Sequence, residues 1–230
     1  MFNVITSNKV ALHSLDHKVP RGSRIANSRR FYFEHVLNKF MNENSFTSIT
    51  DQGCSSGAFI SGMHDSGYLA LGLEGSDYSE KTKRGDWGRL NNVCLFTCDI
   101  TKKFEIKFSD ENFRFDILTS FEVLEHIENK DLDAVFDNFK NISHENSIFL
   151  FSIGILDSPY HVNTFKKRSQ WLEYFKKYNL VEDKSIKDYF GDILLHNEWH
   201  NLKFYLKFQN NDGLKIPKRT LLEKIFPKYY

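Results

Sequence analysis

Apolar positions change their period repeatedly along this chain. Phe33, Val36, Leu37 and Phe40 fall on one stripe of a 3.6-residue repeat, which predicts a helix over 31–40. Residues 46–50 read as a strand that runs into the turn Asp51-Gln52-Gly53-Cys54-Ser55-Ser56-Gly57. A helix over 58–65 follows, ended by Ser66-Gly67. Short apolar runs predict strands at 68–73, 93–97, 115–120 and 147–153, with a helix over 130–141 before the last. A helix over 164–177 turns Trp171, Phe175 and Tyr178 inward, and 180–187 and 202–208 read as closing strands. Strands separated by helices predict an α/β fold: a seven-stranded, mostly parallel sheet with helices on both faces. None of the four prolines falls between 21 and 158, so nothing interrupts that alternation.

A sheet of this kind binds ligands beyond the carboxyl ends of its strands, where the strand order reverses. The polar residues of interest are predicted to stand there. Gly53 directly after a strand lets the backbone turn sharply, and Gly57 lets the next helix start tight against the sheet. Free N–H groups at that helix start suit a carboxylate or phosphate. The loop is neither G-x-G-x-x-G nor a phosphate-binding P-loop. Acids then recur at strand ends. Glu74, about 20 residues past the turn, is placed to accept two hydrogen bonds from a ribose diol, and Asp99 ends the next strand. The fourth strand runs Phe115-Asp116 through Ser120-Phe121-Glu122-Val123-Leu124-Glu125-His126.

Composition narrows the class. The 230 residues suit one large domain whose core needs no disulfide or structural metal. We expect a single domain over 1–230, made of an N-terminal cap segment (1–45), a core (46–208) and a basic tail (209–230). Net charge is +1, which argues against histone-like or strongly acidic partners. The charge is uneven, however. Residues 1–40 carry seven Lys/Arg against Asp16 and Glu34, whereas 110–145 carry ten Asp/Glu against Arg114, Lys130 and Lys140. No apolar run is long enough to span a membrane, and Asn3, Ser7, Asn8 and Lys9 break up any signal-peptide core. Three cysteines without a framework spacing suit a reducing compartment, so a cytoplasmic protein is expected.

These motifs resemble those of the class I S-adenosylmethionine-dependent methyltransferases, whose Rossmann-like fold matches the predicted elements. Asp51-x-Gly53-Cys54-x-x-Gly57 is similar to their first motif, Gly72-Leu73-Glu74 to the ribose-binding strand end, and Cys98-Asp99-Ile100 to the adenine-side acid. Phe115-Asp116 through Glu122-Val123-Leu124-Glu125-His126 is similar to their fourth motif, the most specific match. The resemblance covers residues 46–208. It implies S-adenosylmethionine as cofactor, bound by Asp51, Gly53, Cys54, Ser55, Gly57, Glu74, Gly75, Ser76, Asp99, Ile100, Ser120, Phe121 and Glu122. Asp16-His17, Pro20-x-Gly22, Glu74 to Ser79 and Tyr160-His161-x-Asn163 look like the small-molecule methyltransferases that accompany bacterial polysaccharide and capsule genes. One departure is Ser55, which stands at the middle glycine of the usual motif and narrows the methionine end of the site unless its side chain turns away.

A sulfonium methyl is already electrophilic, so positioning dominates its transfer. An alcohol acceptor must also lose a proton, which makes His126 and His161, past the fourth and fifth strands, the candidate bases. Arg21 and Arg24 are the candidates for holding a phosphorylated acceptor, because guanidinium forks match phosphate. Asn163 is the third acceptor-binding candidate. The expected acceptor is a polar small molecule or glycan precursor. Two other classes stay open, a nucleic-acid methyltransferase and a non-catalytic module that binds S-adenosylmethionine. Nucleic acid is disfavoured because no Asn/Asp-Pro-Pro-Tyr-like run follows the fourth strand and the chain lacks a basic footprint. Intact Gly53, Gly57, Glu74 and Asp99 weigh against the module. His13…His17, His196…His200 and Cys94…Cys98 put metal-ligand types four apart, a spacing useful only on a helix, and no metal is expected.

Overall fold

The computed structural model describes residues 1–15, 17, 31–191 and 201–219. In chain order the elements are β1 (Phe2–Thr6), α1 (Phe31–Asn44), β2 (Ser48–Gln52), α2 (Ala58–Asp65), β3 (Leu69–Glu74), α3 (Tyr78–Thr82), α4 (Trp87–Leu90) and β4 (Leu95–Thr97). There follow β5 (Phe104–Phe108), β6 (Glu111–Asn112), β7 (Phe115–Phe121), α5 (Leu132–Asn141), β8 (Ser143–Gly154), α6 (Arg168–Lys176), β9 (Leu180–Glu182), α7 (Lys184–Phe190) and β10 (Asn201–Phe208).

Seven strands form one sheet in the order β4-β3-β2-β7-β8-β10-β9. The pairs from β4 to β8 are parallel, and β10 runs antiparallel to both β8 and β9. The chain builds outward from β2 to β4 and then returns to lay β7 on the other side of β2. The order therefore reverses between β2 and β7, and a crevice opens past their carboxyl ends.

Period-two alternation in β8 explains why both faces are covered. Phe149, Phe151 and Ile153 enter a core with Phe136, Phe139, Trp171 and Phe175, whereas Ile148 and Leu150 enter a second core with Phe33, Val36, Phe40 and Phe190. The helix stripe read from Phe33 to Phe40 is that second core's outer wall.

Several boundaries move for local reasons. The first sheet strand runs to Gln52, so Asp51 belongs to the strand and not to the turn. The predicted strand over 180–187 stops at Glu182, because the Asp183 carboxylate accepts from the Ile186 N–H (2.9 Å) and starts α7. The predicted helix over 164–177 starts only at Arg168, since Gln170 Oε1 takes the N–H groups of Lys166 and Lys167. A three-stranded sheet, β1-β5-β6, was not anticipated; β1 pairs antiparallel with β5, setting Phe2 opposite Phe108. Residues 211–219 of the basic tail lie against α1: Asn44 exchanges two hydrogen bonds with the Lys215 backbone, and Lys39 donates to the Lys218 carbonyl. Among the described residues no helix is long and apolar enough to cross a membrane.

Candidate active site

The turn after β2 is built by backbone constraint. The N–H groups of Gly53 and Cys54 both donate to the Leu73 carbonyl (2.7 and 3.0 Å), which ties the turn to β3. Gly53 has φ +87°, and a Cβ there would lie 2.2 Å from Val123 Cγ2. Gly57, at φ +80°, would place a Cβ 2.4 Å from Leu95 Cδ1. Neither position accepts a side chain without displacing its neighbour. Between them, Ser55 adopts the left-handed conformation (φ +53°) although it is not glycine. Its N–H donates to Glu74 Oε2 (2.8 Å) and its carbonyl accepts from Trp87 Nε1 (2.8 Å).

Glu74 ends β3 almost fully buried, and its other oxygen accepts from the Ser76 N–H (3.1 Å). An ionised carboxylate is acceptor-only, the type that two hydroxyls of a diol require. Asp99, 2% exposed, accepts from the Thr101 N–H (3.0 Å) and hydroxyl (2.7 Å) through Oδ1, and its Oδ2 lies 3.5 Å from His13 Nδ1. Gly53, Ser55, Glu74, Gly75, Ser76, Asp99 and Ile100 line one cavity of about 400 Å³.

The same cavity extends to the ends of β7 and β8, where Phe121, Glu122, His126 and His161 line it. Glu122 has φ +59°, and its N–H donates to the Ser152 carbonyl (2.9 Å). The next residues form a 3-10 turn, Leu124–His126, that carries Glu125 inward. Glu125 is 2% exposed; Oε1 accepts from the Gly154 N–H (2.8 Å), and no donor reaches Oε2 among the described residues. Burial, and then the adjoining Glu122 carboxyl, push Glu125 well above the ordinary carboxylate range. The His126 and His161 rings meet edge to face, centroids 5.0 Å apart. Nδ1 of His126 lies 3.0 Å from the Tyr160 carbonyl, and Nδ1 of His161 lies 2.7 Å from the Leu156 carbonyl. A carbonyl can only accept, so each Nδ1 carries a hydrogen, and in the neutral ring the lone pair is then on Nε2.

Not every expected residue reaches the cavity. Asp51 accepts from the Thr119 hydroxyl (2.7 Å) within the sheet, and Ser120 donates to the Gln52 carbonyl (3.2 Å). Both act one layer below the cavity. Cys54 is buried in the core, and its thiol sits against Gly72. Burial pushes that thiol well above its usual value, and Cys94 and Cys98 rise to about 12 for the same leading reason. None of the three is a thiolate nucleophile near neutrality. Gly57 shapes the start of α2 and does not line the cavity. Asn163 is buried with its amide committed: Nδ2 donates to the Ile127 carbonyl and Oδ1 accepts from the Phe165 N–H. It fixes the loop that carries His161. Asp116 stands at the amino end of β7, away from the cavity, where it accepts from Thr47, Ser48 and His144. Arg21 and Arg24 lie outside the described residues.

The sequence reading missed one wall. Ala11, His13, Ser14 and His17 line the cavity, held because Ala11 N–H donates to the Gly75 carbonyl (2.8 Å) and Ser76 Oγ to the His17 carbonyl. It also missed Glu125, Ile127, Thr101, Ser158 and Tyr160 as lining residues.

Residues 25–193 match the family model described as a methyltransferase domain. Several solved structures share the fold. A TehB-like S-adenosylmethionine-dependent methyltransferase from Corynebacterium glutamicum is 13% identical, with a TM-score of 0.53, over 77% of this chain and 87% of that one. The 1,6-didemethyltoxoflavin N1-methyltransferase of Burkholderia thailandensis, solved with its acceptor and S-adenosylhomocysteine, is 11% identical at a TM-score of 0.52, covering 78% and 79%. The mitomycin 7-O-methyltransferase MmcR is 11% identical at a TM-score of 0.55; this chain covers 53% of its length, and 78% of this chain is matched. No curated protein matches.

Proposed function

Because the chain belongs to the methyltransferase-domain family, we propose that it methylates a hydroxyl oxygen of a polar small molecule, namely a sugar, nucleotide sugar or related bacterial glycan precursor. S-adenosylmethionine is the methyl donor, and when bound it supplies an electrophilic methyl on a sulfonium. The residues present fit it. Glu74 sets a carboxylate at the end of β3 as acceptor for the ribose diol, Asp99 offers a buried carboxylate further along, and Ile100, Phe121 and Val123 add apolar wall to the same cavity. Gly53 and Ser55 line the middle, where the loop after β2 crosses between the two halves.

One observation carries the choice of oxygen. The ends of β7 and β8 bring Glu125, His126 and His161 together on the cavity, across the β2 loop from Glu74 and Asp99. An alcohol is a weak nucleophile with a pKa far above 7, and this cluster is where its proton is received. His126 and His161 each present Nε2 with its lone pair, held in that tautomer by a backbone carbonyl. As the new O–C bond forms, the C–S pair stays on sulfur, and the hydroxyl proton passes to the cluster and on to water. Resemblance to capsule-associated enzymes supports the glycan class of acceptor. For a phosphorylated acceptor, Arg21 and Arg24 are the proposed clamps.

The test follows methyl-labelled donor into a panel of sugars and nucleotide sugars. His126→Asn or His161→Asn is expected to lower kcat at least about a hundredfold, with donor affinity near wild type by calorimetry. Full activity in the double variant, with a verified hydroxyl acceptor, sinks this reading. A rise in acceptor KM on Arg21→Ala and Arg24→Ala, with little change on the histidine substitutions, points instead to an acceptor oxygen that is already anionic.

A further inference from the structure

We propose that Glu125, His126 and His161 form a binding site for one divalent transition-metal cation, which holds the acceptor hydroxyl during methyl transfer. This deepens the hydroxyl reading and rests on it for the role of the cation, though not for its binding. Three observations converge. One ligand atom from each of the three side chains lies within 4.8 Å of the other two. Three ligands of one ion stand about 3.3–3.8 Å apart at bond lengths of about 2.0–2.2 Å, so the cluster closes on an ion with side-chain shifts of about 1 Å.

Both rings are also prepared as ligands. Their Nδ1 positions are tied to the Tyr160 and Leu156 carbonyls, which fixes the tautomer that leaves Nε2 as the coordinating nitrogen. Metal-binding imidazoles are generally oriented in this way by a second hydrogen bond. Finally, Glu125 Oε2 is sealed from solvent and no donor reaches it among the described residues, while Oε1 is anchored on the Gly154 N–H. The Glu122 carboxyl adjoins that of Glu125, and a cation held here offsets the repulsion between the two neighbouring carboxylates. Position 154 also has to be glycine for this to work. A Cβ there would sit 2.6 Å from Glu125 Oε1 and 3.0 Å from the His161 ring.

Two imidazole nitrogens and one carboxylate oxygen favour manganese, iron, cobalt or zinc over magnesium or calcium, and they leave coordination positions open for acceptor oxygens. A hydroxyl bound there loses its proton to water more readily. The resulting oxygen takes the methyl carbon as the C–S pair stays on sulfur, and the cation keeps its charge throughout. With the cation bound the histidines act as ligands, and this replaces direct receipt of the proton by an imidazole with its release to water from the cation-bound hydroxyl.

The test uses full-length protein treated with chelator and dialysed, titrated with Mn2+ and followed by the free-ion signal in electron paramagnetic resonance. One Mn2+ bound per chain is expected, with Glu125→Gln and His161→Asn each weakening it at least about tenfold while affinity for S-adenosylhomocysteine stays within twofold. The unchanged product affinity shows that both variants are folded. Absence of Mn2+ binding at millimolar protein, or binding that neither substitution weakens, overturns the proposal. Methyl transfer to a hydroxyl that survives chelator, combined with no Mn2+ binding, overturns the cation and leaves the hydroxyl reading standing. Stoichiometric binding weakened by both variants, without transfer to any hydroxyl acceptor, upholds the site and removes the hydroxyl reading.

Discussion

Strand β7 has a carboxylate near its amino end and another just past its carboxyl end, and the two live under opposite conditions. Near the amino end, Asp116 takes the Thr47 N–H, the Ser48 N–H and the Ser48 hydroxyl on one oxygen and His144 on the other. Burial works against its charge, but His144 and the Thr47 and Ser48 donors outweigh it and hold Asp116 below the usual range. Just past the carboxyl end, Glu125 has one backbone donor, a second carboxyl beside it, and a raised pKa. Backbone strain does not follow this division, since Ser45, Gly67 and Asn92 take positive φ before β2, β3 and β4 just as Gly53, Ser55 and Glu122 do at the carboxyl edge; the difference lies in the side chains. A side chain fully satisfied by its own chain stabilises the fold, whereas one left short of partners in a cavity is held ready for something that arrives later. The amino edge is therefore built for stability and the carboxyl edge for binding.

Substitutions at the two edges should separate accordingly. The largest effect is expected from Gly53→Val, which adds a branched side chain at φ +87° where even a Cβ meets Val123. Calorimetry should show donor binding weakened beyond about a hundredfold, roughly 2.7 kcal/mol or more. Asp116→Ala is the counterpart at the other edge. Losing a charged hydrogen-bond centre should cost about 2–3 kcal/mol, seen as a melting temperature lower by roughly 4–12 °C, with donor affinity unchanged. A loss of donor binding in Asp116→Ala would break the comparison. Glu74→Ala should weaken the donor by about 1.5–3 kcal/mol through the ribose diol, with a smaller loss of stability.

Acidity provides a finer probe. The folded pKa of Asp116 lies below its ordinary value of 3.8, so its contribution is fully present above that value and lost as pH falls through the folded one. The stability gap between wild type and Asp116→Asn should close over that acid range in a pH series of melting curves. The smallest effect is expected at Ser55. Glycine suits φ +53° better than serine, so Ser55→Gly should leave donor affinity within about threefold and raise stability by at most about 1 kcal/mol. A large loss of donor affinity would show that the Ser55 hydroxyl, and not the loop backbone, is the contact.

Much of the carboxyl edge was legible because position on a strand end follows from period and spacing alone. Gly53, Glu74, Asp99, His126 and His161 reach the cavity for that reason. What escaped depends on distant partners. Asp51 and Ser120 carry the right residue types, but the sheet register commits their side chains to Thr119 and Gln52. Glu125 sits beside His126 in sequence, yet its burial is decided by Gly154 on the neighbouring strand. Phe104, Ile106 and Phe108 alternate as a strand should, but only pairing with residues 2–6 makes a sheet of them. Asp183 shows the opposite case: a helix cap was readable there, and the apolar run before it concealed the signal.

The pairing of β1 with β5 also imposes an order of assembly. Residues 2–6 emerge from the ribosome long before Phe104–Phe108, so the cavity wall that continues from β1 waits as an untethered strip until its partner strand exists. Two of its backbone groups close on the ends of β3 and β4, where the Ala11 N–H donates to the Gly75 carbonyl and the Asp99 N–H to the Asn8 carbonyl. The cavity therefore cannot close until the segment translated first has met strands made much later. During refolding, near-complete secondary structure should appear before donor binding does.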